Sequence, residues 1–181
     1  MTFRLYYRGL LKSNGRSKDK HEIRLMIHPQ LVKLWQLERN NEFADYLKMD
    51  NNPCILHEGG ERDYACLITE RLKIYAELDI LFLRAGEPGK IIVGGDIDNR
   101  LKTLFDALRM PQNEGEFPKD ELLSRTPNPC YCVLSDDALI SRVSVTTDTF
   151  LDAKNDDEVI LIIMVTVRKS VETWGNMSYL Q

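Results

Sequence analysis

Between Glu158 and Arg168 the chain reads Glu-Val-Ile-Leu-Ile-Ile-Met-Val-Thr-Val-Arg, apolar at both alternating sets of positions. A run this short does not span a bilayer, and its branched side chains suit an extended backbone, so it reads as a buried strand in the middle of a sheet. A central strand needs neighbours on both edges. Four stretches qualify: Thr2 to Leu11, His21 to His28, Leu72 to Arg84 with Ile74, Ala76, Leu78, Ile80 and Phe82 alternating, and Ala138 to Thr147. The Ser13-Asn14-Gly15 turn breaks the first from the second. Pro29 is expected in a first helical turn, followed by a stripe of Leu31, Leu34, Trp35 and Leu37, and Phe43 to Met49 is expected to continue helically. The expectation is an α/β or α+β fold: one domain over 1–181, with a mixed β-sheet flanked by helices. Loop-rich insertions are expected at 40–70 and 111–130, the second carrying Pro111, Pro118, Pro127 and Pro129 and one short helix.

A length of 181 residues fits one domain with a sizeable core, and 43% hydrophobic with 29% charged residues is ordinary for a globular chain. No run reaches membrane-spanning length, and Met1 to Tyr7 lacks the basic-then-apolar layout of a signal peptide, so the expected compartment is cytoplasmic, with no membrane. Cys54, Cys66, Cys130 and Cys132 form no C-x-x-C pair. They are read as reduced, partly buried thiols in preference to a zinc site with His57. His21 and His28 are read as surface or turn histidines, and Trp35 as core.

The net charge is −4, which does not by itself suggest a nucleic-acid binder. Its distribution is uneven. Arg4, Arg8, Lys12, Arg16, Lys18, Lys20 and Arg24 face only Asp19 and Glu22, a section able either to hold a phosphate backbone or to be a solvated hairpin.

Chemistry concentrates in Gly94-Gly95-Asp96-Ile97-Asp98-Asn99-Arg100-Leu101-Lys102, which follows Ile91-Ile92-Val93 and opens a helix expected to run to about Met110 with Asp98 as its N-cap. Leu101, Leu104, Phe105 and Leu108 form its buried stripe, and Asp98, Lys102 and Asp106 project from the adjacent face. Asp136-Asp137 precedes the next strand. Carboxylates at Asp96 and Asp98, closed by Asp137 or Asp136, describe an oxygen-only cage for Mg²⁺ or Mn²⁺, with Lys102 placed to neutralise phosphate charge. The same residues also fit a structural role: an N-cap, an Asp98–Lys102 ion pair and a solvated turn. Asp79, mid-strand, is a candidate auxiliary acid.

At these residues the chain resembles the RusA-like Holliday junction resolvases, which carry D-x-D-N-x-x-K, a helix of the F-D-A-L type, and a D-D-A pair opening a strand. Here these stand as Asp96 to Lys102, Phe105-Asp106-Ala107-Leu108 and Asp136-Asp137-Ala138. The resemblance implies Asp96, Asp98 and Asp137 as metal carboxylates, Asp136 as a supporting acid and Lys102 as the catalytic lysine. It implies a homodimer making paired, Mg²⁺-dependent nicks in a four-way DNA junction; Arg100, Lys12, Arg16, Lys18 and Lys20 are the candidate DNA contacts. The chain departs from the pattern in the insertion before Asp136, in the extra sequence between Asn40 and Arg71, and in having Gly86-Glu87-Pro88-Gly89-Lys90 where a basic run often stands. Three other readings are weighed. A haloacid-dehalogenase phosphatase needs Thr or Val where Arg100 stands. A divergent relative could bind DNA or a protein without cutting, and a nuclease could act on flaps or other branched DNA.

Overall fold

Alternation along β1 (Thr2–Leu10), β4 (Ile74–Arg84) and β7 (Glu158–Lys169) buries every second side chain, and these strands build the main sheet. In the computed structural model, residues 1–37, 54–56, 62–86, 96–173 and 176–177 are described. The remaining elements are α1 (Ser17–Trp35), β2 (Ile55–Leu56), β3 (Tyr64–Ile68), α2 (Asp96–Leu108), α3 (Asp120–Arg125), β5 (Cys130–Leu134) and β6 (Ile140–Thr149). The main sheet has the order β1-β7-β4-β6, with β7 antiparallel to both neighbours and β4 parallel to β6. A second sheet, β2-β3-β5, pairs β3 with β5 in parallel. This is a single α+β domain with a mixed sheet flanked by helices, as the pattern predicts. Among the described residues no helix is long and apolar enough to cross a membrane.

β7 is interior, as its composition requires, but its two faces differ. Val159, Leu161, Ile163, Val165 and Val167 are buried against the helices, whereas Ile162 on the other face is 38% exposed. One side of the main sheet is therefore open. Asp79 lies on that open side with its carboxylate 2.6 Å from Arg142, within an ion-pair group that includes Glu77 and Arg168.

The largest correction concerns His21 to His28, which is not a strand. It forms the middle of α1, and Pro29 lies inside that helix instead of opening it. Ile23, Leu25 and Ile27 satisfy a period of two only across five residues. Buried His21, Arg24, Ile27, Leu31, Leu34 and Trp35 follow the helical period over the full length. Two of those positions carry polar side chains, which disguised the stripe. His21 is 1% exposed, not a surface histidine, while Trp35 is core as expected.

The Pro-rich 111–130 stretch contains the one short helix expected, α3, and ends at β5, where Cys130 and Cys132 lie on a strand instead of in a loop. Tyr64–Ile68, inside the stretch read as an insertion, is a strand buried at every residue. Both escape an amphipathic search because strands covered on both faces do not alternate. Cys66 pairs in register with Cys132, and Tyr64 with Cys130. All four cysteines are buried and reduced. The Cys130 thiol is pushed up by its hydrogen bond with the Cys132 thiol and by burial, and Cys132 chiefly by burial. Among the described residues no three His, Cys, Asp or Glu side chains gather to hold a metal. The expected helix at 43–49, the apolar run 91–93, the Gly86–Lys90 departure beyond Gly86, and His57 lie outside the described residues.

Candidate active site

α2 carries the motif, and its packing explains why the motif is held in place. Leu104, Ala107 and Leu108 are buried in the main core, with Leu101 and Phe105 packed beside them. Arg100 is buried too. Its guanidinium donates to the Leu11 carbonyl at 2.5 Å and pairs with Asp157 at 2.9 Å, tying the helix to the end of β1 and the turn before β7. This corrects the expectation that Arg100 contacts DNA: the group is spent inside the fold.

One turn further on, the Thr103 hydroxyl accepts a hydrogen bond from Gly15 N at 2.9 Å and donates to the Asn99 carbonyl at 3.0 Å. A Cβ on Gly15 would lie 2.6 Å from Thr103 Cγ2, so only glycine allows this approach. Asn14 supplies the turn with a positive φ of 54°. The contact sets the basic section against α2, next to Lys102 in sequence. Lys12 is paired with Asp19 at 2.8 Å, and Asp19 also accepts from Arg16 N at 3.0 Å, closing the first turn of α1. Arg16 and Lys18 are exposed. Lys20 is not available in the same way, because its ammonium sits 2.7 Å from buried Asp106.

α2 begins at Asp96, whose side chain lies outside the described residues, so Asp98 is the third residue of the helix and not its N-cap. Asp98 and Lys102 are both exposed. Among the described residues neither makes an ion pair or side-chain hydrogen bond, so the Asp98–Lys102 bridge that a structural role would need is not formed. An uncompensated carboxylate and ammonium one turn apart on a rigid helix cost the fold little and remain open to a ligand.

The acidic pair lies elsewhere. Asp136 Oδ1 accepts from Ala138 N at 2.7 Å, capping the short 3-10 turn 137–139 that leads into β6. Asp137 is about half exposed, with Oδ1 3.7 Å from Arg109 Nε. Its carboxyl is raised above the ordinary range, first by desolvation and then by Asp136, while Arg109 pulls the other way. Arg109 follows the last residue of α2. Eleven residues separate it from Asp98, roughly 16 Å of helix axis at 1.5 Å per residue. The fold thus groups Asp136 and Asp137 with each other and with Arg109, and Asp98 with Lys102.

The network around Arg109 was not anticipated. Its guanidinium binds Asp106 at 2.9 Å and Glu116 at 2.8 and 3.1 Å, and donates to the Met110 carbonyl at 2.9 Å. Asp106, expected to project outward, is therefore 6% exposed between Arg109 and Lys20. Arg24 of α1 closes the end of α2 by donating to the carbonyls of Asp106 and Arg109 at 2.8 Å, a favourable place for a cation. Its Nη1 lies 3.1 Å from His21 Nδ1, while His21 Nε2 lies 2.8 Å from the Thr126 hydroxyl, which donates to the Leu122 carbonyl. Since the guanidinium only donates and the hydroxyl proton is committed, His21 is neutral with its proton on Nε2. Burial first, then Arg24 and Arg125, push it down to about 4. The i,i+3 pairs Asp106/Arg109 and His21/Arg24 were the available sequence signal, but using it required knowing both helices.

Oxygen donors without histidine suit Mg²⁺ or Mn²⁺, and Asp98 offers an unpartnered carboxylate. Of the described carboxylates, Asp98 fits such an ion; Asp137 stands beside a guanidinium instead. No family model, curated protein or solved structure matches the chain.

Proposed function

We propose that this protein is a Mg²⁺-dependent, structure-selective DNA endonuclease of the RusA-like type, nicking four-way junctions in recombination and repair and acting as a homodimer. The observation that carries the reading is the seating of Gly15 on Thr103, which brings a basic turn onto the helix that presents Asp98 and Lys102. Residues far apart in sequence are thereby combined as such an enzyme needs: exposed carboxylate, exposed ammonium and cations for a phosphate backbone.

In this reading Asp96 and Asp98 would hold the divalent cation, while Asp137 and Asp136, which the resemblance also implies as ligands, stand beside Arg109. When bound, such an ion supplies Lewis acidity toward a phosphodiester and lowers the pKa of water. Lys102 neutralises charge developing on the phosphate, worth about 3 kcal/mol for a well-placed donor. Arg16, Lys18 and Lys12 hold the backbone, and Thr103 with Arg100 keeps the helix from shifting under load. Cleavage leaves a 5′-phosphate and a 3′-hydroxyl.

A second reading, binding of DNA or a protein without cutting, is favoured by the placement of Asp137 at Arg109 rather than near Asp98. One experiment separates the two. A labelled four-way junction, a linear duplex and a flap are incubated with the protein in Mg²⁺ and in EDTA. Metal-dependent, symmetric nicks confined to the junction support the resolvase. Cutting of flaps or duplex retains a nuclease of different selectivity, and binding without cutting in Mg²⁺ or Mn²⁺ supports the second reading.

A further inference from the structure

The open face of the main sheet is not uniform. On it β7 presents Ile160, Ile162 and Met164, and β4 presents Leu81 and Leu83, with Ile162 opposite Leu81 and Ile160 opposite Leu83. Ile162 is 38% exposed and the other four are partly buried. The strands on either side are polar on this face: Arg4, Tyr6 and Arg8 on β1, and Ser144, Thr146 and Asp148 on β6. An apolar strip therefore runs along the two central strands between polar rims. One end is closed by the ion pairs of Glu77, Asp79, Arg142 and Arg168, and the other by Glu158. The helices pack against the opposite face, so among the described residues the strip has no cover.

Its dimensions are those of one α-helix. Adjacent strands lie about 4.8 Å apart, so two of them make a strip about 10 Å wide, the diameter of a helix with its side chains. Same-face residues recur about every 6.8 Å along a strand, so three rows span about 14 Å, between two and three helical turns. A depression of about 320 Å³ bounded by Asp79, Leu81, Ser144, Thr146, Ile162 and Met164 offers a seat for one large side chain.

The rims choose the partner. Arg4 makes no ion pair or side-chain hydrogen bond among the described residues. The Arg8 side chain is 48% exposed and has only Glu158 at 3.6 Å and the Phe150 ring at 5.2 Å. The β1 rim is thus net positive. The β6 rim is not, because Arg142 is spent on Asp79 and Glu77 while Asp148 is exposed. A strip of aliphatic side chains with a single aromatic at its edge, Tyr6, suits apolar side chains better than stacked bases, and Glu158 and Asp148 oppose a phosphate chain. We propose that this strip docks an amphipathic helix of another protein, apolar on the side it lays down and acidic along the flank that meets Arg4 and Arg8. The strip lies on the side of the sheet away from α2, so this interface and the nuclease reading stand or fall separately.

Fluorescence anisotropy with two labelled peptides and the full chain tests it. Each peptide is about 18 residues long with leucine at i, i+3, i+4 and i+7; one carries glutamate along a flank of the apolar face and the other lysine at the same places. The wild type is expected to bind the acidic peptide at least about tenfold more tightly than the basic one. Ile162→Lys, at an exposed position, should weaken the acidic peptide by about tenfold or more, with circular dichroism and melting unchanged. Arg4→Glu should bring the two peptides to within about threefold of each other. Leu151→Lys, 89% exposed and off the strip, should change neither affinity. Equal binding of the two peptides by the wild type, or no binding of either, overturns the proposal. So does a loss in Leu151→Lys equal to that in Ile162→Lys. If Ile162→Lys turns a dimer into a monomer in sedimentation velocity, the strip belongs to a second copy; if it abolishes oligothymidine binding, it belongs to nucleic acid. Either result overturns the helix-docking assignment. Junction cleavage is not read here, so failure of this interface and failure of the nuclease reading are told apart.

Discussion

The charged groups gathered at the two ends of α2 are used in opposite ways. At the C-terminal end, Asp106, Arg109, Glu116, Lys20 and Arg24 are largely buried, and each charge meets an opposite charge or a helix carbonyl. At the N-terminal end, Asp98 and Lys102 stand in solvent with no mutual bridge. The saturated end fixes where the helix stops and how α1 crosses it. Removing one of its members strands the others away from water. Apart from Arg100, which is buried and paired with Asp157, the charges of the open end contribute nothing comparable to folding, and that is why Asp98 and Lys102 are the ones available for chemistry.

The comparison breaks most directly at Asp98. Asp98→Asn is expected to lower junction cleavage by at least about 10³-fold while shifting stability by no more than about 0.5 kcal/mol. Cleavage assays and urea denaturation on the same preparation check both halves, and a large loss of stability would move Asp98 into the architectural group. At the other end, Asp106→Ala removes the partner of half-buried Lys20 and one of the two carboxylates that Arg109 binds. The expected cost is about 2–3 kcal/mol, read from the denaturation midpoint. A variant as stable as wild type would remove the distinction between the two ends.

His21 extends the saturated end into a pH dependence. Its folded pKa is depressed to about 4 from an ordinary 6.5, so the native state refuses a proton that the unfolded chain accepts. The stability is in full above about pH 6.5 and falls as pH drops toward 4, by on the order of 3 kcal/mol. Denaturation at pH 7 and pH 4.5 should show this fall, and His21→Gln should flatten it. An identical slope in the variant would assign the acid sensitivity to other groups. The smallest effect belongs to the basic turn. Lys18→Ala should reduce the slope of log affinity for DNA against log salt by about 0.9, with stability unchanged. No change in slope would remove Lys18 from the DNA-facing surface.

Parts of this organisation were legible in the residues themselves. The alternation in Ile74 to Arg84 and the uninterrupted apolar run of β7 specify strands whatever surrounds them, because a two-residue period can be satisfied only by an extended chain with a buried face. The stripe Leu101, Leu104, Phe105 and Leu108 specifies α2 for the same reason. The placement of Asp98 and Lys102 one turn apart on one helix face followed from the helical period alone. α1 did not follow, since buried His21 and Arg24 sit on its inner face and a linear reading places such side chains in water. β3 and β5 were missed because burial on both sides erases their alternation.

What the sequence determined by itself was therefore local: which segments are extended or helical where their hydrophobic period is clean, and which charged groups share a helix face. Only the tertiary structure decided which charges are spent. Arg100, Lys20 and Asp106 look as available in the sequence as Lys102 and Asp98. They are committed because residues 11, 157, 20 and 109 arrive beside α2 in space. A charge's role depends on whether a partner and solvent reach it, and chain separation carries no information about either.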